Sequence, residues 1–283
     1  MPTSIQNHVY PKTVEEALAY LKQPATKVLA GGTAVSLSRD SSIETLVDLQ
    51  GLNLSYIRDE GASFKIGAMT SAYDIYIHPD LPQCLRTSAR KIGDPALLCA
   101  VTIGGNVAEL FPWVDLAPML FSLGASFTLY NPEKGTPETL NADEFFALAS
   151  ERNISVRRYL ITEVDVPKPP TNSYGDFRIL ALTETEKGQL NFASYLEWGE
   201  DGVVTKARLV VSSATPHPTR LQEVEQLLVG KKLTSELINE VGKEPAKGLR
   251  IIPNYKSSVE YRQEILGVYL KRALHGCLDR MEK

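Results

Sequence analysis

Two short stretches constrain this chain more than any others: Val28-Leu29-Ala30-Gly31-Gly32-Thr33-Ala34 and Val101-Thr102-Ile103-Gly104-Gly105-Asn106. Each reads as an apolar strand that stops at a glycine pair. Glycine lets the backbone turn with positive φ and lets another group approach where a Cβ would collide. Successive amides in such a turn form a concavity suited to phosphate oxygens. An ordinary strand-ending turn has the same composition. Neither stretch has the spacing of GxGxxG or GxxxxGK[ST], so a Rossmann or P-loop site lacks its required pattern. Two such loops in one chain point instead to a shared diphosphate.

The chain has 283 residues, room for two domains at roughly 150 residues each. Its 43% hydrophobic and 23% charged content is that of a soluble globular protein. The net charge of −4 and a pI near 5.7 leave no basic footprint, so no nucleic-acid partner is expected. The first ten residues lack the basic and apolar regions of a secretion signal, and no apolar run approaches the roughly 18 residues of a membrane span. The cytoplasm is the expected address. Cys84, Cys99 and Cys277 are scattered, forming neither a disulfide framework nor a zinc knuckle, and fall short of the four thiolates of a cysteine-held iron–sulfur cluster. His8, His78, His217 and His275 show no metal-ligand spacing, and His217, between prolines, reads as a surface turn residue.

Along the chain, Thr13-Val14-Glu15-Glu16 has the form of a capping box, with Val14, Ala17, Leu18 and Leu21 on one helical face. Strands are expected at 28–30, 45–49, 64–68 and 126–130, and a helix over 115–123 stopped by Gly124. The segment from Val166 to Gly175 holds three prolines, which lack the amide a central strand or helix needs, and a domain boundary is placed there. Extended stretches follow at about 177–182, 190–197 and 203–212. One helix is then expected from Thr219, with Gln222 completing a second capping box, to Gly230, and another over 257–281. Strands and helices cluster without strict alternation, which argues for the α+β class. The expected domains are 1–170, in subdomains of about 1–55 and 56–170, and 171–283. Tyr73 and Tyr76 read as core aromatics, and Asp165, Asp176, Glu184 and Glu186 as solvated carboxylates.

Longer motifs carry a family resemblance. Ala30-Gly31-Gly32-Thr33, then Thr102-Ile103-Gly104-Gly105-Asn106, then Pro112-x-x-Asp115-Leu116-Ala117-Pro118 and Leu123-Gly124-Ala125 resemble the FAD-binding medium subunit of the molybdenum hydroxylases. That family includes the flavin subunits of xanthine dehydrogenases and aerobic carbon monoxide dehydrogenases. Tyr10-Pro11-x-Thr13-x-Glu15-Glu16-Ala17 resembles its opening helix, while Pro216-x-Pro218-x-Arg220-Leu221-x-Glu223 and Glu260-Tyr261-Arg262 resemble its carboxy-terminal domain.

The resemblance implies an FAD-binding domain of the vanillyl-alcohol-oxidase/PCMH type followed by a smaller α+β domain, CO-dehydrogenase-flavoprotein-like. By that likeness Val28, Leu29, Ala30, Gly31, Gly32, Thr33, Ala34 and Val35, with Thr102, Ile103, Gly104, Gly105 and Asn106, cradle the FAD pyrophosphate through backbone amides and the Thr33 and Thr102 hydroxyls. Asp115 caps its helix or accepts from ribose or ribityl hydroxyls. Ile161 packs on the flavin or adenine, or is plain core. Arg178 is a basic group near the flavin, or a solvated strand charge. No catalytic side chain and no metal ligand is expected, since the cofactor carries the chemistry.

Two departures stand out. A Gln-Ile-Arg-Asn-like stretch of the family is replaced by Ala96-Leu97-Leu98-Cys99, and an Arg-rich segment before Leu-Asp-Phe-Ala by Thr183-Glu184-Thr185-Glu186-Lys187-Gly188-Gln189, followed by Leu190-Asn191-Phe192-Ala193. The implied partners are a molybdopterin-binding large subunit and a [2Fe-2S] small subunit, in a dimer of heterotrimers. Electrons would pass from the iron–sulfur chain to FAD and on to NAD, a quinone or oxygen. A free-standing FAD oxidoreductase and a flavin-free assembly subunit of the same fold are the rival readings.

Overall fold

The structure, a computed structural model, describes residues 5–38, 40–109, 111–150, 159–183, 186–253 and 256–282. Chain order begins β1 (Asn7–Val9), α1 (Val14–Leu21), β2 (Thr26–Leu29), β3 (Thr45–Asp48), β4 (Ile57–Asp59), β5 (Ser63–Gly67) and α2 (Ala72–Ile77). Next come α3 (Gln83–Arg90), α4 (Pro95–Ala100), α5 (Ile103–Glu109), α6 (Leu116–Leu123), β6 (Ser126–Tyr130), β7 (Pro137–Asn141), α7 (Ala142–Ser150) and β8 (Leu160–Pro167). The chain closes with β9 (Ser173–Leu180), β10 (Leu190–Trp198), β11 (Val204–Ser212), β12 (Thr219–Arg220), α8 (Gln222–Leu228), α9 (Ser235–Val241) and α10 (Val259–Met281). It groups into two compact units, one of Met1–Pro79, Asp94–Glu109 and Gly124–Pro167, the other of Asp80–Gly93, Leu110–Leu123 and Lys168–Lys283.

The first unit holds a parallel three-stranded sheet in the order β1-β3-β2 and an antiparallel five-stranded sheet, β4-β5-β8-β6-β7. Helix α1 links β1 to β2 as the crossover that parallel strands require. Its start follows from the capping residues: Thr13 Oγ1 accepts from the Glu16 amide at 3.2 Å, and Glu16 Oε2 accepts from the Lys12 amide at 2.7 Å. Ala17 and Leu18 bury against Val47 and Leu49. In the larger sheet, Phe127 stacks on Phe145 of α7 with centroids 4.0 Å apart.

The second unit is an antiparallel sheet in the order β12-β11-β10-β9. Alternation along β10 sends Leu190, Phe192 and Leu196 into a core with Leu266, Leu270 and Leu274 of α10. Residues of the opposite parity face α6: Asn191 reaches the segment leading into that helix, and Arg208, paired with Tyr195 in register, donates through Nε to Phe121 O at 3.1 Å. Covered on both faces, β10 is buried from Leu190 to Leu196. Ser258 caps α10, accepting from the Tyr261 amide at 3.2 Å.

Several expectations need correction. Residues 101–106 are not a strand and its closing loop; Thr102 opens α5, and the glycine pair sits in the first helical turn. Thr219 belongs to β12, paired with Val211. Its hydroxyl donates to His217 O at 2.8 Å, and α8 starts at Gln222 with no side-chain cap. The sheet-edge pairing takes Thr219 away from the helix. His217 is half-buried rather than a surface turn residue, and burial holds its imidazole below the usual range. Tyr73 is exposed, not core. Among the carboxylates read as solvated, Asp165 has a buried, unpartnered Oδ1, Asp176 pairs with Arg178 and Glu186 with Lys256; Glu184 lies outside the described residues. Among the described residues no helix is long and apolar enough to cross a membrane, and no cluster of three His, Cys, Asp or Glu is placed to hold a metal.

Candidate cofactor site

The two glycine stretches, about seventy residues apart in sequence, meet in the first unit. A Cβ built on Gly31 would lie 1.5 Å from the Ala100 carbonyl oxygen, so the backbone after β2 runs directly against the backbone that enters α5. A Cβ on Gly105 would lie 4.0 Å from that of Ala30. An ion pair between Lys27 on β2 and Glu109 at the end of α5, 3.4 Å long, ties the same two elements. Sequence reasoning missed that pair, since an isolated Lys and Glu carry no local signal.

After Gly31 the chain turns through Gly32 at φ 75°, and Ala34 returns to the right-handed region at φ −82°. Turns in which successive amides converge form anion-binding concavities. Among the described residues, the amides of Gly32, Thr33 and Ala34 have no hydrogen-bond acceptor. A Cβ on Gly32 would meet only Leu29 Cδ1, at 3.5 Å. The turn is thus a set of open donors beside unfilled space, flanked by Val28, Leu29 and Ala30 before it and the buried Val35 after it.

The second stretch is arranged differently. The amides of Ile103 and Gly104 donate to Thr70 O and Ala68 O at 3.0 and 2.9 Å, and that of Asn106 to Thr102 O at 2.9 Å. The Gly105 amide donates to Thr102 Oγ1 at 3.1 Å. All four amides are therefore occupied within the protein. What remains is the hydrogen of the Thr102 hydroxyl, whose oxygen already accepts, and Asn106 Oδ1, buried without a partner. Gly104 is needed for packing, since a Cβ there would lie 2.7 Å from Ala68 Cβ and 2.8 Å from its carbonyl oxygen. Ile161, on β8 opposite Leu129, is buried in the larger sheet.

Asp115 and Arg178 belong to the second unit. Asp115, 8% exposed, precedes α6 and accepts from Asn191 Nδ2 at 2.8 Å. The same amide nitrogen donates to Val114 O at 3.2 Å. Asn191 was visible in the sequence only as one residue of the Leu190–Ala193 motif. Arg178 pairs in register with Phe192, whose side chain joins the α10 core, and sits 2.6 Å from Asp176 Oδ2. Arg178 and Asp115 are therefore on opposite faces of the sheet.

Burial pushes the Asp115 carboxyl up to about 8, against the smaller opposing effect of the Asn191 bond. Between about pH 4 and 8 the folded chain then holds a proton that the unfolded chain has released, so stability falls as pH rises through that window and levels off above it. The slope is at most on the order of 1 kcal/mol per pH unit. Asp115→Asn is expected to remove it. Denaturant titrations of the FAD-free protein at pH 5 and pH 8 read this directly; equal pH dependence in the two proteins would contradict the burial.

Residues 4–169 match the family model described as the FAD binding domain in molybdopterin dehydrogenase, and residues 177–277 that of the CO dehydrogenase flavoprotein C-terminal domain. The chain belongs to the FAD-binding molybdopterin dehydrogenase family. Its relatives include the carbon monoxide dehydrogenase medium chain of Hydrogenophaga pseudoflava, 27% identical with 99% of each chain covered. The nicotinate dehydrogenase FAD-subunit of Eubacterium barkeri is 26% identical with 96% of each covered. A solved structure of the Hydrogenophaga pseudoflava carbon monoxide dehydrogenase matches with a TM-score of 0.89 at 25% identity, covering 99% of both chains.

The expected fold, an FAD-binding domain followed by a smaller carboxy-terminal domain, is borne out. The chain is a dehydrogenase-type FAD subunit of the molybdenum hydroxylases. The first unit's residues fit that cofactor. Three adjoining open amides match phosphate oxygens, and the orphaned Asn106 Oδ1 is an acceptor awaiting a donor.

Proposed function

We propose that this chain is the electron-passing flavin subunit of a molybdopterin-dependent dehydrogenase. In this reading it takes electrons from a [2Fe-2S] small subunit served by a molybdopterin-binding large subunit. It delivers them to NAD, a quinone or oxygen, within a cytoplasmic dimer of heterotrimers. The observation that carries the reading is the run of open amides at Gly32, Thr33 and Ala34. When bound, FAD supplies a ring that accepts an electron pair and releases it singly or together.

The protein's share is binding and placement. The three amides and the Thr33 hydroxyl donate to the pyrophosphate, and the Thr102 hydroxyl donates its remaining hydrogen. Ala30, Gly31, Gly104 and Gly105 let the backbones close up behind them, with Val28, Leu29, Val35, Ile103 and Ile161 as apolar support. Asn106 Oδ1 accepts a cofactor hydrogen. For Asp115 the role is acceptance from ribose or ribityl hydroxyls. Arg178, paired to Asp176, is a charge near the flavin's electronic environment rather than a pyrophosphate ligand.

Partners follow from arithmetic as much as from relatives. Three cysteines cannot hold the about eight thiolates of two [2Fe-2S] clusters, so the iron–sulfur step needs another chain. The medium-chain names of the relatives support the same division. Affinity purification of the tagged chain from its native cells tests it. A molybdopterin-containing large chain and a cysteine-rich small chain are expected to co-purify with a yellow flavoprotein. A monomer that turns over substrate unaided would overturn the subunit reading, and absence of flavin absorbance after reconstitution with FAD would overturn the electron-passing role.

A further inference from the structure

Residues 111–114 form a β-turn: the Val114 amide donates to Phe111 O at 3.1 Å, with Pro112 in the second position, where its fixed φ suits the bend. Two further bonds pin this turn to the end of β11 and to β10. The Ser213 amide donates to Pro112 O at 2.6 Å, and Asn191 Nδ2 donates to Val114 O at 3.2 Å. On the anchored turn the rings of Phe111 and Trp113 lie stacked, with centroids 4.8 Å apart and planes 6° from parallel. Trp113 is 37% exposed, although indoles are highly buried on average. With Phe111 on one face of the indole, Lys187 takes the other, its Nζ 4.2 Å from the ring centroid.

Among the described residues Lys187 has no carboxylate partner, and its neighbour Glu186 is engaged by Lys256. Lys187 is also the single cation of Thr183–Gln189, the segment that stands where the family-like pattern is Arg-rich. Arg178 is paired with Asp176 and lies on the opposite face of the sheet from Asp115, so the cation beside this turn is Lys187. Two residues of chain reach at most about 7 Å. The cation-capped indole therefore stands next to the carboxylate read as the acceptor of a cofactor hydroxyl.

We propose that Trp113 is the wall on which the flavin ring rests and Lys187 the charge at that ring's edge. This rests on the reading of the chain as a flavin subunit with Asp115 at a ribose or ribityl hydroxyl. The indole face is electron-rich and the oxidised flavin ring electron-poor, which favours stacking. To receive the ring, Trp113 releases the ammonium from its open face, and the flexible four-carbon stem of Lys187 carries the charge to the rim. There Lys187 favours the form that holds one negative charge after two electrons and one proton have been added, over the neutral oxidised form. Phe111 backs the indole and fixes its tilt.

The experiment uses the full chain loaded with FAD, with thermal midpoints recorded for every variant. Emission of the bound flavin is compared in wild type, Trp113→Leu and Trp113→Tyr. The two-electron midpoint potential, measured against a reference dye, is compared in wild type, Lys187→Met and Lys187→Arg. Trp113→Leu is expected to brighten the bound flavin by about threefold or more, and Trp113→Tyr, which keeps an electron-rich ring in the stack, to leave it dim. Lys187→Met is expected to lower the potential by about 30 mV or more, a roughly tenfold fall in the preference for reduced over oxidised FAD. Lys187→Arg should hold the wild-type value. A merely structural side chain would move the melting midpoint and leave the potential in place. FAD bound with unchanged emission in Trp113→Leu, or with unchanged potential in Lys187→Met, would overturn the proposal and leave the flavin reading standing. Wild-type protein that takes up no FAD would overturn that reading, and the proposal with it.

Discussion

Gly31→Ala is expected to yield no stably folded first unit. The methyl group would be placed 1.5 Å from the carbonyl oxygen and 2.7 Å from the carbonyl carbon of Ala100. Both are backbone atoms at the end of α4, so no rotamer change relieves the overlap. Relief requires β2 and α5 to separate, which would also break the Lys27–Glu109 ion pair and displace the amides that hold α5 to Ala68 and Thr70. Overpacking a core by a methylene or two commonly costs about 1–3 kcal/mol. A clash between two backbones exceeds that range and consumes a large part of the roughly 5–15 kcal/mol that keeps a domain folded. Thermal melts and far-ultraviolet circular dichroism check it. A Gly31→Ala protein melting within a few degrees of wild type would show that the two backbones are not in contact.

One residue along, Gly32→Val is expected to do the opposite: the protein folds and fails to hold FAD. The position has φ 75°, and an L residue forced there costs about 1–2 kcal/mol. No protein atom crowds a Cβ at this position, since Leu29 Cδ1 at 3.5 Å is in ordinary contact. The valine instead occupies the open side of the turn and relaxes the left-handed residue on which the Gly32–Ala34 amides depend. Loss of the phosphate donors should weaken FAD by at least 100-fold, about 2.7 kcal/mol. Gly61→Val is the control: Gly61 has φ 82° with nothing within 4 Å of its Cβ, on the turn joining β4 to β5. It carries the same backbone strain without an open set of amides, so it should melt like Gly32→Val and keep its flavin. Equal FAD affinity in the two variants would refute the assignment of the first turn to the pyrophosphate.

The difference between these neighbours was not legible in the sequence. Both are glycines in one Gly-Gly pair, and periodicity treats them alike. Their roles separate only when α5 arrives: Gly31 is glycine because a protein backbone presses on it, and Gly32 because the chain must turn left-handed there. The same holds for the second pair. Read locally, Gly104-Gly105 matched Gly31-Gly32, yet the amides around it donate to Ala68, Thr70 and Thr102. Those acceptors lie outside the local window or depend on its helical conformation.

What was legible had a local cause. The strand at 126–130 and the long carboxy-terminal helix coincide with β6 and nearly with α10, because alternation and a serine cap act over a few residues. The short helices α2 and α4, six residues each, have little periodicity to display and were not anticipated; α3 was missed although Cys84, Leu85, Ser88 and Ala89 share its buried face, because two of the four are polar or small. The Thr219 cap failed because β12 pairing with β11 outcompeted a side-chain bond that the same few residues had suggested.

By itself, then, the sequence pointed to the family of the chain: the glycine motifs and the Pro112-to-Pro118 run resemble those of FAD-binding medium subunits, and three cysteines are too few for a cysteine-held iron–sulfur cluster. Those motifs are local, and they survive without coordinates. Only the tertiary structure decided which donors are open, which glycine is structural, and that Asn191 holds Asp115 across 76 positions of chain. The reason is physical. A hydrogen bond or a close approach is a relation between two atoms in space, and when its partners are far apart in the chain neither one's neighbours record it.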